Sequence, residues 1–285
     1  MSCNASSSLL VITGGGLLGQ ALAKLARDSG HEVRIISSTL HESTKDSWLS
    51  SKWRKERFEP SLRGATHIFH TVAMTSVLEC ENNPYAAQYF NTFLTHYVAS
   101  QAENNNVRMI YPSTDWVFDG TLGYYSESDS VSPINAYGKS KADGERCVLN
   151  AGGVVIRGSF IGARPDNQVG FREMLLNQKI APVGRNRFSN PLWVGDFAEK
   201  MINVGLGEFS GILHLGSSGG INWQTLCDTA KKQLGSQATI ALAAIDGVSR
   251  PRNTILKSKF PDWTGLAVTI EESIARFVLN GPLHP

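Results

Sequence analysis

The chain lacks any apolar run near the roughly 20 residues that a membrane-spanning helix needs, so no span is expected. Its first apolar run, Leu9–Ile12, is short and has no basic segment ahead of it, which argues against a signal peptide and for a cytoplasmic address. No one sign of charge prevails. The 27 Lys and Arg are interspersed with 25 Asp and Glu, for a net charge of +2, so the basic footprint of a nucleic-acid binder is missing. Neither nucleic acid nor membrane is expected as a partner. The densest basic stretch, "KWRKERF" at 52–58, reads as a solvated face.

Cysteine is scarce and scattered: Cys3, Cys80, Cys147 and Cys227 show no C-x-x-C spacing, which speaks against a disulfide framework and a zinc site. The seven histidines form no H-x-x-x-H or H-E-x-x-H pattern, so no metal is expected, and His67 and His70 read as packed within an apolar strand. No G-x-S-x-G elbow is present for acyl transfer. What remains is a soluble globular composition, 41% hydrophobic and 18% charged over 285 residues. That length suits one large α/β domain, or a nucleotide-binding domain with a smaller lobe built on it.

The order of elements points the same way. Leu9–Thr13 reads as a buried strand entering a glycine turn, Leu17–Arg27 as a helix stopped by Gly30, and Val33–Ile36 as a second strand. Strands follow at His67–Val72 and Arg108–Tyr111, separated by a helix from about Tyr85 to Glu103. Tyr137–Asn150 reads as a helix, then come "VVIRGSF", a helix in "PLWVGDFAEKMINVG", the strand "GILHL" and helices at Asn222–Leu234 and Glu271–Leu279. Such alternation predicts an α/β fold, a doubly wound Rossmann-type parallel sheet. The expected division is a dinucleotide-binding domain over residues 1–157 and a smaller C-terminal substrate lobe over 158–285, with segments about 181–205 returning to the first domain.

Gly14, Gly16 and Gly19 stand between a strand and a helix with G-x-G-x-x-G spacing, which predicts dinucleotide binding at Gly14, Gly16, Leu17, Leu18 and Gly19. An acidic residue pairing with the ribose of NAD is expected about 20 residues on. Ser37 and Ser38 stand there instead, with Arg34 nearby, so NADP(H) is favoured over NAD(H). Arg34 contributes only if it does not point away on the alternating strand.

Tyr137 and Lys141 are four residues apart in a helical segment and share a face. An ammonium beside a phenol lowers the phenol's pKa from about 10 and suits it to general acid–base work. Ser113, Thr114 and Asp115 end a strand at the sheet edge where such folds place ligands. "STDWVFDG" at 113–120, "PINAYGKSKADGE" at 133–145, "NPLWVGDFA" and "RPRNTIL" together resemble the extended short-chain dehydrogenase/reductase family, and within it the dTDP-4-dehydrorhamnose reductases.

The resemblance covers nearly the whole chain. It implies a catalytic Thr114, Tyr137 and Lys141, with Tyr137 protonating a carbonyl oxygen, Thr114 orienting it and Lys141 binding the nicotinamide ribose. It implies that Val72, Ala73 and Met74 line the cofactor, and that Asp115 and Phe160 lie near the substrate, a ketone on a nucleotide sugar or a similar small polar metabolite. Phe160 stands where that subfamily has Trp, and "TGGGLLG" is one residue shorter than its usual turn. A homodimer through the helices 85–103 and 137–150 is a further expectation. Two other readings stay open: an epimerase or dehydratase that retains its NAD, and a non-catalytic NADP-binding regulatory subunit.

Overall fold

The protein's structure, a computed structural model, describes residues 7–37, 53–163, 171–177, 181–184, 186–243, 247–265 and 267–280. Strand β1 (Leu9–Thr13) leads through the glycine turn into helix α1 (Leu17–Asp28), and β2 (Glu32–Ile36) follows after Gly30, whose φ of 83° reverses the chain. Strand β3 (His67–His70) precedes a long helical run. That run comprises Pro84–Gln88, a π-helical turn at Tyr89–Phe93, and α2 (Leu94–Asn104). Next come β4 (Arg108–Thr114), α3 (Ala136–Asn150), β5 (Val154–Gly158), α4 (Val194–Leu206), β6 (Gly211–Leu215), α5 (Trp223–Gln233) and α6 (Ile270–Leu279).

The six strands form one sheet in the order β6-β5-β4-β3-β1-β2, every neighbouring pair parallel. Side chains alternate across it as the pleat requires. Leu10, Ile12, Phe69, Ile110, Val154 and Ile156 face α1 and α4, while Val11, Ile68, Met109, Tyr111 and Val155 face α2 and α3. Because both faces are buried, the strands read as continuous apolar runs rather than alternating ones. A separate core, with Ile161, Leu226, Cys227, Ile274 and Phe277, lies beneath α5 and α6. Helix α4 leaves that region to pack on α1, and β6 completes the sheet edge beside β5.

Chain direction diverges between β1 and β3: β1 feeds β2 on one side, while β3 and β4 lie on the other. The turns beyond their carboxyl ends separate there and leave a crevice. The basic run behaves as a solvated face, with Lys55, Glu56 and Arg57 exposed and Trp53 and Phe58 buried beneath them, their rings stacked at 4.9 Å. Among the described residues no helix is long and apolar enough to cross a membrane.

Candidate active site

The glycine turn forms one wall of the crevice. Gly14 has φ 98°, and its N–H donates to Ile36 O at 2.8 Å. A Cβ at Gly19 would lie 2.1 Å from Gly14 O, so a side chain there would push α1 off the turn. Gly16 is the N-cap of α1 and supplies no side-chain cap, while a Cβ on it would meet nothing within 4 Å. Gly16, Leu17, Leu18 and Gly19 line the cleft, and an uncapped first helical turn is the usual setting for a phosphate.

After β3 the chain runs extended, and Thr71, Ala73 and Thr75 line the same cleft, whose volume is about 310 Å³. Thr71 Oγ1 donates to Thr13 O at 2.7 Å. Of the three residues expected here, Ala73 faces the cleft. Val72 packs into the core beneath α2, and Met74 is held through its backbone. Asn91, fully buried in the π-helical turn, accepts from Met74 N at 2.8 Å and donates to Met74 O at 3.0 Å and to Ser140 Oγ at 2.9 Å. Asn91 thus joins the strand end to α3, a role its place in a helical pattern did not disclose.

Helix α3 begins where Asn135 Oδ1 accepts from Gly138 N at 2.8 Å, which puts Tyr137 in the first turn. Gly138 lies so close to Trp116 that a Cβ would come within 2.3 Å of its carbonyl oxygen. That approach sets the Tyr137 phenol beside Thr114. Lys141, one turn on, is 3% exposed; its Nζ donates to Pro112 O at 2.8 Å and stands 3.9 Å above the Tyr111 ring. Tyr137, Lys141 and Phe160 all line the cleft with the glycine turn. Thr114 Oγ1 accepts from Trp116 N and donates to Asp115 Oδ1, both at 3.2 Å.

Electrostatics differ from the sequence expectation in one respect. Burial pushes the Tyr137 phenol well above its ordinary range, the Thr114 hydroxyl opposing and Asp115 and Cys80 adding to the rise, and the depression expected from Lys141 is not found in the folded chain. It is Lys141 that burial lowers, to about 7, against the pull of Glu145. Tyr137 accordingly holds a proton at neutral pH, the form a general acid needs.

Beyond Thr114 lies a cationic, aromatic corner to which the motifs assigned no role, although they contain Trp116 and Arg250. The Arg187 guanidinium sits between two indoles, 4.7 Å from the Trp116 ring and 4.8 Å from the Trp223 ring, and that of Arg250 lies 5.9 Å from Trp116. Arg187 Nε is buried with no hydrogen-bond partner among the described residues. Burial draws Arg187 down to about 10. Asp115 is buried beside them, accepts from the Thr254 hydroxyl, and is raised by burial. These cations come from distant segments, so only spacing in three dimensions reveals them.

Arg34 does not join the site. Its Nη1 donates to Ser61 O at 3.1 Å and Arg63 O at 2.8 Å, and Nη2 lies 3.5 Å from Glu32 Oε1, because the side chain points off β2 toward the helix end that precedes β3. Ser37 is exposed at the end of β2 beside Gly15, and Ser38 lies outside the described residues.

A family model described as the RmlD substrate binding domain matches residues 7–274. The chain is 29% identical over 258 residues to a dTDP-4-keto-6-deoxy-D-glucose reductase of Streptomyces niveus, covering 87% of each chain. It is 34% identical over 205 residues to a dTDP-4-dehydrorhamnose reductase of Aggregatibacter actinomycetemcomitans, covering 68% of this chain and 66% of that one. The fold superimposes on a dTDP-4-dehydrorhamnose reductase of Bacillus anthracis in complex with NADP with a TM-score of 0.80, at 21% identity and covering 95% and 98% of the two chains. The chain therefore belongs to the extended short-chain dehydrogenase/reductases, in the RmlD branch of NAD(P)-dependent sugar-nucleotide reductases.

Proposed function

We propose that this protein reduces a ketone on a nucleotide-linked sugar, with NADPH preferred to NADH, and that Thr114, Tyr137 and Lys141 carry the chemistry. The observation that supports this most is the meeting of Tyr137 and Lys141 with the glycine turn in one cleft. The open space before α1 suits a dinucleotide's diphosphate, and Ser37 offers a hydroxyl rather than a carboxylate at the adenosine end. When bound, the nicotinamide supplies a hydride to the carbonyl carbon. Tyr137 then gives its phenolic proton to the carbonyl oxygen, and Thr114 steadies that oxygen by a hydrogen bond, its hydroxyl turning from Asp115 to donate it. Lys141, in its cationic form, stabilises the phenolate left behind. Phe160, resting on Phe197 at 5.2 Å between ring centroids, walls the sugar end.

Arg187 and Arg250 are the natural partners for the substrate's diphosphate, with Arg187 prevented from swinging by the two indoles. In this reading residues 1–157 hold the dinucleotide and the part from 158 onward, Arg187 included, closes on the substrate, while segments about 181–205 also return to the first domain. Exposed Tyr85 and Phe93 on the long helical run support a homodimer; light scattering at the 31.0 kDa mass of one chain would remove that part of the proposal. The decisive experiment mixes purified protein, NADPH and a dTDP-4-keto-6-deoxy sugar and follows loss of the reduced nicotinamide. Consumption of NADPH in proportion to sugar is expected. Tight cofactor retention with no net consumption would overturn the reductase in favour of an epimerase, and binding without turnover would favour a regulatory subunit.

A further inference from the structure

We propose that Glu145 is a positioning residue of this site: anchored by Arg157, it supplies the fixed negative charge for the Lys141 ammonium and seats the Thr114 strand end against the helix that carries Tyr137. The inference rests on the reading of Tyr137 and Lys141 as catalytic.

Tyr137, Lys141 and Glu145 follow at four-residue intervals along α3 and so share a face. The last three residues of β4 meet that face one by one. Pro112 O accepts from Lys141, the Ser113 hydroxyl donates to Glu145 Oε1, and Thr114 is the electrostatic neighbour of Tyr137. Glu145 is itself gripped from β5: Arg157 Nε donates to Oε1 at 3.0 Å and Nη2 donates to Oε2 at 2.7 Å. Ser113 and Arg157 are register partners across β4 and β5, so the carboxylate is held from two adjacent strands. Arg157 is fixed in turn over the Phe118 ring at 5.3 Å, with its Nη1 3.5 Å from His214 Nε2.

Glu145 and Arg157 are 3% and 4% exposed. A buried ion pair is weak as a source of stability, since apolar residues of the same volume would do as well, and this one stands directly behind the active site. The groups around Lys141 explain its use. His70 on β3 has both ring nitrogens at hydroxyls, Thr13 Oγ1 at 2.6 Å and Thr95 Oγ1 at 3.3 Å, and burial with Lys141 lowers it to about 3, so it stays neutral. Tyr111 and Tyr137 are phenols raised by burial, Cys80 flanks Tyr137 and is raised to about 11, and Arg157 is already paired. Among these groups Glu145 is the anion that favours the Lys141 cation, against a burial that has brought it to about 7. With an amide in place of the carboxylate, Lys141 would be neutral at working pH and could not hold a phenolate.

The test is Glu145→Gln, read in two ways. Lysine labelled at Cε is titrated by NMR in the cofactor-free protein, with the Lys141 signal assigned by its loss in Lys141→Met. The pH profile of kcat/KM is measured beside it. The Lys141 midpoint is expected to fall by about one pH unit or more, and kcat/KM above neutrality by about tenfold, one pKa unit being a factor of ten in the charged fraction. Glu145→Asp should restore part of both. If Glu145→Gln leaves Arg157 unpaired and does not fold, Glu145→Gln with Arg157→Gln removes both charges and gives the same readings. An unchanged Lys141 midpoint in either folded variant overturns the proposal. Should Tyr137→Phe and Lys141→Met also retain full turnover, the reading of the active site itself fails; should they lose turnover while Glu145→Gln changes nothing, only the role given to Glu145 fails.

Discussion

The Tyr137 phenol meets the Trp116 indole edge-on, with 6.1 Å between ring centroids and 73° between planes. The indole limits the ring's swing, so the hydroxyl stays toward Thr114. Tyr137→Phe keeps the ring and its packing and deletes only the proton donor. Turnover is expected to fall by about 10² to 10⁴, the usual worth of a positioned acid, with the cofactor Kd nearly unchanged. Steady-state rates beside fluorescence titration check this, and full turnover would remove Tyr137 as the acid.

Lys141 titrates near 7 because burial outweighs Glu145. The cation is the low-pH form, so any property that needs it is lost as pH rises through about 7. Cofactor affinity and kcat/KM should both decline on that limb, and Lys141→Met should flatten the decline while weakening cofactor binding at every pH. Wild-type affinity that stays level from about pH 6 to 9 would contradict the lysine's part in binding, the decline being expected across its pKa.

His70, lowered to about 3 by burial and Lys141, and His214, lowered to about 4 chiefly by burial, are both neutral in the native state at pH values where an unfolded histidine is protonated. Below the unfolded value of about 6.5 the unfolded chain binds more protons, so stability present above that pH is lost as pH falls toward 4. Each such histidine contributes a slope of about 1.4 kcal/mol per pH unit in that window. Denaturant unfolding at several pH values should show roughly two protons taken up, and His70→Gln should remove one of them. A pH-independent midpoint between about 4 and 6 would refute the assignment.

Ser37 follows β2 in solvent, beside the glycine turn. Ser37→Asp puts a carboxylate where the ribose phosphate of NADPH is expected, and suits the free hydroxyls of NADH. NADPH affinity should drop by about tenfold or more, the worth of one hydrogen bond to a charged group at about 1.5–3 kcal/mol, and NADH should gain. Equal affinities in the wild type, unchanged by the substitution, would remove the preference for NADP.

Much of this protein was legible in residue order alone. The buried run Leu9–Thr13 with Gly14 and Gly19 behind it leaves few alternatives to a strand, a tight turn and a helix, because only glycine tolerates φ 98° at the first position and the 2.1 Å approach at the second. Helices α1, α3 and α4 were read in their places from the sequence, and four-residue spacing placed Tyr137 and Lys141 on one face, since that relation is set by the geometry of a single helix. Tertiary structure decided the rest. Arg34 turned to the carbonyls of Ser61 and Arg63, Asn91 reached back to Met74, and Arg187 found its place between Trp116 and Trp223. The protonation of Tyr137 and Lys141 likewise followed from depth, with burial outweighing the Thr114 hydroxyl at Tyr137 and the Glu145 charge at Lys141. Local sequence determines which way a backbone turns and which residues share a face, whereas burial and contacts between distant segments exist only once the sheet has closed, and those set the direction and charge of each functional side chain.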